Sequence, residues 1–326
     1  MRRSLSRAAV LSVLGAVLGI GAAPAAAAVC TPTALPNLPG VSLYEVTGTD
    51  HAGTYVARGA DADGPAGVVW QDGQVSRLPN GFVPFDMNRA GLMSGNVSVA
   101  GFPTSYQRSA LMRLDGTTTY LTTAYSTAAA GMNERGDAVG WVYPDHPVIH
   151  FAALWPSGAT EYDVLDPSWY VPVDIDDDGV SIGKPQDETQ PQRIWRFDGT
   201  VVRNYGPYPA GHSSIDLADI DDGSVAATRT RPDGRFEVVV IDVATGAVTA
   251  LPGSASGTPL EIENGVVVGR GPHGATMWRP SGATVLPAPS GLTTREATAL
   301  NDDGTEAAGI STTASGEAVA TVWRCG

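Results

Sequence analysis

The chain has 326 residues, a formal net charge of −14 at pH 7, and a composition rich in turn formers, with Gly 39 and Pro 24. An acidic chain of this kind lacks the electropositive face that nucleic acid or an anionic membrane needs, so both are excluded as partners. Beyond the amino-terminal stretch no apolar run approaches the roughly 20 residues of a membrane helix, and membrane insertion is excluded with them.

The first segment, "MRRSLSRAAVLSVLGAVLGIGAAPAAAA", joins a basic head, an apolar middle and an Ala-rich end with an A-x-A cleavage site at Ala26 to Ala28. Residues 1–28 are expected to be an export signal, leaving residues 29–326 as a secreted, monomeric domain. Arg2 and Arg3 give a partial match to a twin-arginine signal, with the general secretory route as the alternative. Loss of the three arginines of this segment takes the net charge from −14 to −17.

The rest of the chain is repetitive, and its periodicity is that of strands, with hardly any helical pattern. One element consists of Asn or Asp, a Gly turn and small apolar residues, as in "NRAGLMSG" at Asn88, "NERGDAVG" at Asn133 and "NDDGTEAAG" at Asn301; it occurs seven times. Some 20 residues after each comes an apolar pair, then usually Trp and a Gly turn, as in "ALWPSGATEYDV" and "TMWRPSGATVLP". Trp70, Met112, Trp155, Trp195, Ile241, Trp278 and Trp323 hold the equivalent position, 37 to 46 residues apart. Each period therefore encodes four short strands, here a to d, and a period of that length is the signature of a propeller blade. The expected fold is all-β: a seven-bladed β-propeller whose recurring aromatic position serves packing.

The last repeat stops at "ATVWRCG" without a d strand, whereas "CTPTALPNLPG" near the start resembles the d strand "GATVLPAPSG" of the preceding repeat. The amino-terminal strand is thus expected to complete the last blade and close the ring. Cys30 and Cys325 would then meet and form a disulfide, as an exported protein permits.

The pattern resembles the extracellular HAF-repeat family, with "HFAALWPSG" (150 to 158) as the nearest copy and "GMNERGDAVGW" as its Asn-turn element. That resemblance implies a β-propeller-like repeat and export, and no particular chemistry.

The a–b and c–d turns read as short, while the b–c and d–a connections read as longer and variable. Antiparallel alternation puts the latter on one face, which suits a binding site. Two consecutive d–a connections there carry Trp169 with Tyr170, and Tyr205 with Tyr208 and His212. These five are the candidate binding residues, suited to stacking on a sugar or a peptide. Acidic residues recur two places before the Asn/Asp turn, at Asp86, Asp174, Asp219 and Glu261. Asp174, Asp219 and Glu261 are candidate ligands for a Ca²⁺ in the axial channel, against the reading that they accept backbone hydrogen bonds. "DIDDDG" (174 to 179) is not an EF-hand, because its twelfth position is Pro185.

No nucleophile elbow or phosphate loop is present, and His51, His146, His150, His212 and His273 are scattered in a way expected of surface residues. No catalytic residue is identifiable. The functional expectation is a binding or scaffold module for extracellular carbohydrate or another polymer, with a protein ligand as a further candidate. The alternative is a carbohydrate-active enzyme, a glycoside hydrolase or lyase, using acidic residues at the channel mouth.

Overall fold

The computed structural model describes residues 29–99, 106–121, 126–143, 150–187, 189–206 and 213–326. Seven four-stranded antiparallel sheets form a β-propeller. In six of them the strands follow chain order from the axis outward, blade one running Ser42–Thr49, Tyr55–Asp61, Gly64–Gln71, Gln74–Arg77. The seventh takes strands a to c from Thr293–Leu300, Glu306–Thr312 and Ala318–Cys325 and its outermost strand from Cys30–Ala34. That strand pairs antiparallel with Ala318–Cys325, Cys30 opposite Cys325, and the two cysteines are disulfide-bonded. Ring closure thus occurs where the sequence pattern predicts it.

The apolar interior is divided into clefts rather than gathered into one core. Each of seven hydrophobic clusters draws its residues from two adjoining blades. A blade has two apolar faces, and only a neighbour on each side buries both. Middle strands therefore read as continuous apolar runs: Ala318–Cys325 is buried along most of its length, whereas the outermost strand Gln74–Arg77 is largely exposed. Trp70, Trp155, Trp195, Trp278 and Trp323, with Met112 and Ile241, are all buried in these clefts. Trp70 donates its indole N–H to Pro36 O at 2.8 Å and Trp323 to Pro287 O at 2.7 Å. The same bond in both places confirms that "ALP" and "VLP" are equivalent.

All seven inner strands carry a β-bulge at the same position, for instance between Pro84 and Asp86, Pro172 and Asp174, and Ala297 and Ala299. The second Gly of the turn motif explains how it fits. Gly140 and Gly309 pair with the residue just before the bulge. A Cβ there would lie 1.9 Å from Ala128 O and 2.2 Å from Glu296 O, so only glycine lets the strands approach.

One expectation about loops needs correction. The b–c connections of blades one and six, residues 62–63 and 272–273, are two-residue turns as tight as any a–b turn. The variety of that face comes from the other blades.

Candidate functional site

The bulges determine what faces the axis. An inner strand borders the channel as a sheet edge, where a proline costs no ladder hydrogen bond, so Pro84, Pro172 and Pro259 are accommodated. The extra residue at the bulge brings consecutive residues to the lumen wall: Phe85 and Asp86, Val173 and Asp174, Ala218 and Asp219, Leu260 and Glu261 all line it. These side chains surround a channel cavity of about 470 Å³.

The carboxylates have a structural task. Asp86 accepts hydrogen bonds from Met87 N at 2.7 Å and from Met132 N, in the next blade, at 2.8 Å. Asp219 accepts from Ile262 N at 2.7 Å, and Glu261 from Leu300 N at 3.0 Å. Each therefore fastens its own inner strand to the following one, and the acid recurs because a blade junction recurs. Asp174 is hydrogen-bonded instead to Asp219. Burial pushes Asp174 well above the carboxylate range, and the neighbouring charges of Asp219 and Asp86 push it further. Burial raises Asp219 as well, so the pair favours sharing one proton, with the added push of neighbouring charge favouring Asp174 as its holder.

Three charged tiers succeed one another along the axis. Beside the a–b turns lie Glu134, Asp176, Asp221 and Glu263, whose carboxyls are all raised above their ordinary values, chiefly by burial. Glu263 reaches about 8 and Asp221 about 6. The middle tier holds Asp86, pushed to about 7 by burial, with Asp174, Asp219 and Glu261. Toward the opposite end the wall turns aromatic, with Phe85 and Trp141; there Arg58 pairs with Glu45 and lies 5.1 Å from the Phe85 ring centroid.

Asp174, Asp219 and Glu261 do share this channel, as their spacing suggests. Among the described residues, however, no group of three or more His, Cys, Asp or Glu is arranged to hold a metal ion. The backbone-acceptor reading accounts for Asp219 and Glu261, although the N–H groups come from the next blade and not from a tight turn. The turn role falls to the Asn/Asp of the motif itself: Asn88 accepts from Ala90 N and Leu92 N, and Asp176 from Val180 N.

The aromatic candidates are dispersed. Trp169 is exposed, with a φ of 52°. Tyr170 is fully buried, edge-on to Trp195 at 5.4 Å, with its hydroxyl donating to Pro191 O at 2.6 Å. It is a cleft residue and not a ligand platform, because its ring fills the junction of blades three and four. Tyr205 is half-buried against the junction of blades four and five. Tyr208 and His212 lie outside the described residues. The histidines differ too. His273 is exposed as expected, but His150 is buried against Tyr143 and His51 is paired with Asp302.

Sequence reasoning misses Phe85, Trp141 and Arg89 as channel residues, and gives Asp221 and Glu263 no role beyond the recurring turn element that they open, "DDGSVAA" and "ENGVVVG". The signal that finds the lumen is Pro-x-Asp/Glu before the Asn/Asp turn, which marks a bulge on an edge strand.

No family model and no curated protein matches the chain. Solved structures do. A puromycin hydrolase complexed with PGG is 16% identical with a TM-score of 0.58, covering 87% of this chain and 55% of that one. Pyrococcus horikoshii acylaminoacyl peptidase is 12% identical with a TM-score of 0.57, covering 87% and 51%. A Mycobacterium tuberculosis puromycin-hydrolyzing peptidase is 13% identical with a TM-score of 0.55, covering 86% and 51%. The chain spans about half the length of these proteins, and the likeness is one of fold. It overturns the carbohydrate reading in both its scaffold and its hydrolase or lyase form: the propellers of this shape carry peptidase names, and Tyr170, part of the supposed sugar platform, is interior.

Proposed function

We propose that this protein is an exported propeller of the peptidase type that binds peptides, taking a cationic group of the peptide into its axial channel. The observation that carries the reading is the channel lining. Four enclosed carboxyls, Asp86, Asp174, Asp219 and Glu261, face one lumen, and aromatic walls stand at one end of it. A volume of about 470 Å³ falls within the range of pockets that enclose small ligands. Burial makes ionisation of these carboxyls unfavourable, and an ammonium or guanidinium that enters relieves that cost directly. Phe85 and Trp141 offer faces for the apolar part of the same ligand.

Export and HAF-repeat membership belong to the proposal. The leader-like segment at residues 1–28 and the repeat recurring in every blade support them. The peptidase names of the similar propellers support the ligand class, and no catalytic group is assigned to this chain.

The test is titration calorimetry with tripeptides that carry a free amino terminus and an Arg or Lys. Binding at micromolar concentration, weakened at least tenfold by amino-terminal acetylation combined with removal of the basic side chain, is expected. Equal affinity for basic and acidic peptides, or none for either, would overturn the reading. Product analysis of the same mixtures reports any hydrolysis.

A further inference from the structure

The end of the channel beside the a–b turns carries carboxylates from several blades, and the basic side chain of Arg89 reaches across them. Arg89 comes from the a–b turn of blade two, "NRAG". Its Nε lies 2.5 Å from Asp302 Oδ2 of blade seven and 3.8 Å from Glu134 Oε1 of blade three. Its Nη2 is 3.9 Å from Glu263 Oε1 of blade six. One guanidinium therefore reaches carboxylates on three other blades, including blades that are not its neighbours.

The contact is anchored at its base as well. Arg89 donates its backbone N–H to both oxygens of Glu134, at 3.0 and 3.2 Å. Glu134 in turn donates its own N–H to Asp177 Oδ1 at 2.9 Å. The backbone of the turn is thus fixed, and the half-exposed side chain is held across the mouth by its carboxylate partners alone. The other arginine of the lining, Arg58, is already held by Glu45 and Phe85 on the far side of the bulge tier. His51 is held by Asp302.

We infer that Arg89 is a strap across the a–b mouth of the channel, an internal guanidinium occupying the place where a basic group of an incoming peptide would pass. The inference rests on the peptide-binding reading for its ligand, while the strap itself stands on geometry alone. A planar guanidinium engages several carboxylates at once where an ammonium engages them as a point charge, so lysine at this position should hold the mouth less firmly. A peptide arginine is the closest chemical match to the side chain it displaces. The chain would then favour Arg-bearing peptides, and its apparent affinity would be lowered by the fraction of molecules in which the strap is closed.

The experiment compares the full-length wild type with Arg89→Gln and Arg89→Lys, each checked for native circular dichroism. The first measurement is the rate at which a water-soluble carbodiimide and glycine ethyl ester amidate Glu134, Glu263 and Asp302, read by peptide mapping. Exposed Glu161 serves as the internal reference. Arg89→Gln should quicken the three mouth carboxyls several-fold relative to Glu161, and Arg89→Lys by less. The second is the affinity for a tri-arginine peptide, expected to be at least tenfold tighter in Arg89→Gln.

Unchanged labelling rates overturn the strap, whatever the peptide does. Quicker labelling with equal peptide affinity in wild type and variant overturns the competition and leaves the mouth closed only to reagent. Quicker labelling with no peptide bound by any of the three proteins upholds the strap and overturns the peptide-binding reading.

Discussion

The clefts between blades and the channel between inner strands are made by the same seven repeats, yet they obey different rules. In a cleft, Trp278 meets Ala226, Val238, Leu251, Ile262 and Val267, and the energy comes from apolar area removed from water. In the channel, Asp219 and Glu261 meet backbone N–H groups of the next blade, and the energy depends on protonation and geometry. Clefts stabilise the ring at any pH, whereas the channel stabilises it conditionally. The comparison can be broken from either side.

The largest effect is expected in a cleft. Trp278 is fully buried and lies so close to Gly257 that a Cβ added there would sit 2.6 Å from the indole ring. Trp278→Ala should lower unfolding free energy by about 3–5 kcal/mol, read from a denaturant titration. A cost under about 1 kcal/mol would mean that the repeat position does not carry the cleft. The disulfide comes next. It holds Cys30–Ala34 as the outer strand of blade seven, so Cys30→Ala with Cys325→Ala should cost about 2–4 kcal/mol. Reducing agent should lower the wild-type unfolding midpoint toward the double variant and leave the double variant unmoved.

These two predictions draw on features that are plain in the sequence. Blade number, strand order, ring closure, the disulfide and the packing role of the tryptophans all follow from a repeat whose period exposes two apolar faces, because burial is a property of each residue type in its register. The channel is legible only in part. The spacing of Asp174, Asp219 and Glu261 puts them around the axis, but whether a carboxylate meets a cation, a backbone N–H or another carboxyl depends on the offset between neighbouring blades, which no single repeat contains. Arg89 shows the limit most clearly: its partners Glu134, Glu263 and Asp302 are 45, 174 and 213 positions along the chain. Tyr170 fails for the opposite reason. Its neighbours in sequence suggest a loop, whereas it begins an inner strand and points into a cleft.

The channel should also reveal itself by pH. Burial raises Asp86 to about 7, Asp221 to about 6 and Glu263 to about 8. A carboxyl with a raised folded value holds its proton longer in the folded than in the unfolded chain. Its contribution is therefore complete below the unfolded value and is lost as pH rises through the folded one. Glu237, held low chiefly by its hydrogen bonds from Arg231 and Arg229, works the other way and loses its contribution under acid conditions. The unfolding midpoint should therefore rise as pH falls from 8 to about 5.5 and decline again below about 4. One pKa unit corresponds to about 1.4 kcal/mol, so even one such group gives a measurable slope. A midpoint flat between pH 5.5 and 8 would show that the channel carboxyls are solvated like surface groups.

The smallest effect should come from the one pair that departs from the blade-to-blade pattern. Asp174 accepts the Ile175 N–H but meets the Asp219 carboxyl where the other acids meet an N–H of the next blade, so an amide can replace it: Asn offers an N–H₂ donor and a carbonyl acceptor of nearly the same shape and cannot ionise. Asp174→Asn should therefore change stability by less than about 1 kcal/mol at pH 5.5, in line with a replaced hydrogen bond. At pH 8 it should equal or exceed the wild type, because the variant cannot place a second negative charge beside Asp219, and its pH slope should be shallower. Asp219→Asn is the control: it leaves Ile262 N–H with a neutral acceptor and removes the charge that Asp174 serves, so it should be the more costly of the two at both pH values. A loss above about 2 kcal/mol for Asp174→Asn at pH 8 would show that Asp174 is ionised in the folded ring, and the channel would then be a set of independent blade fasteners with no shared proton among them.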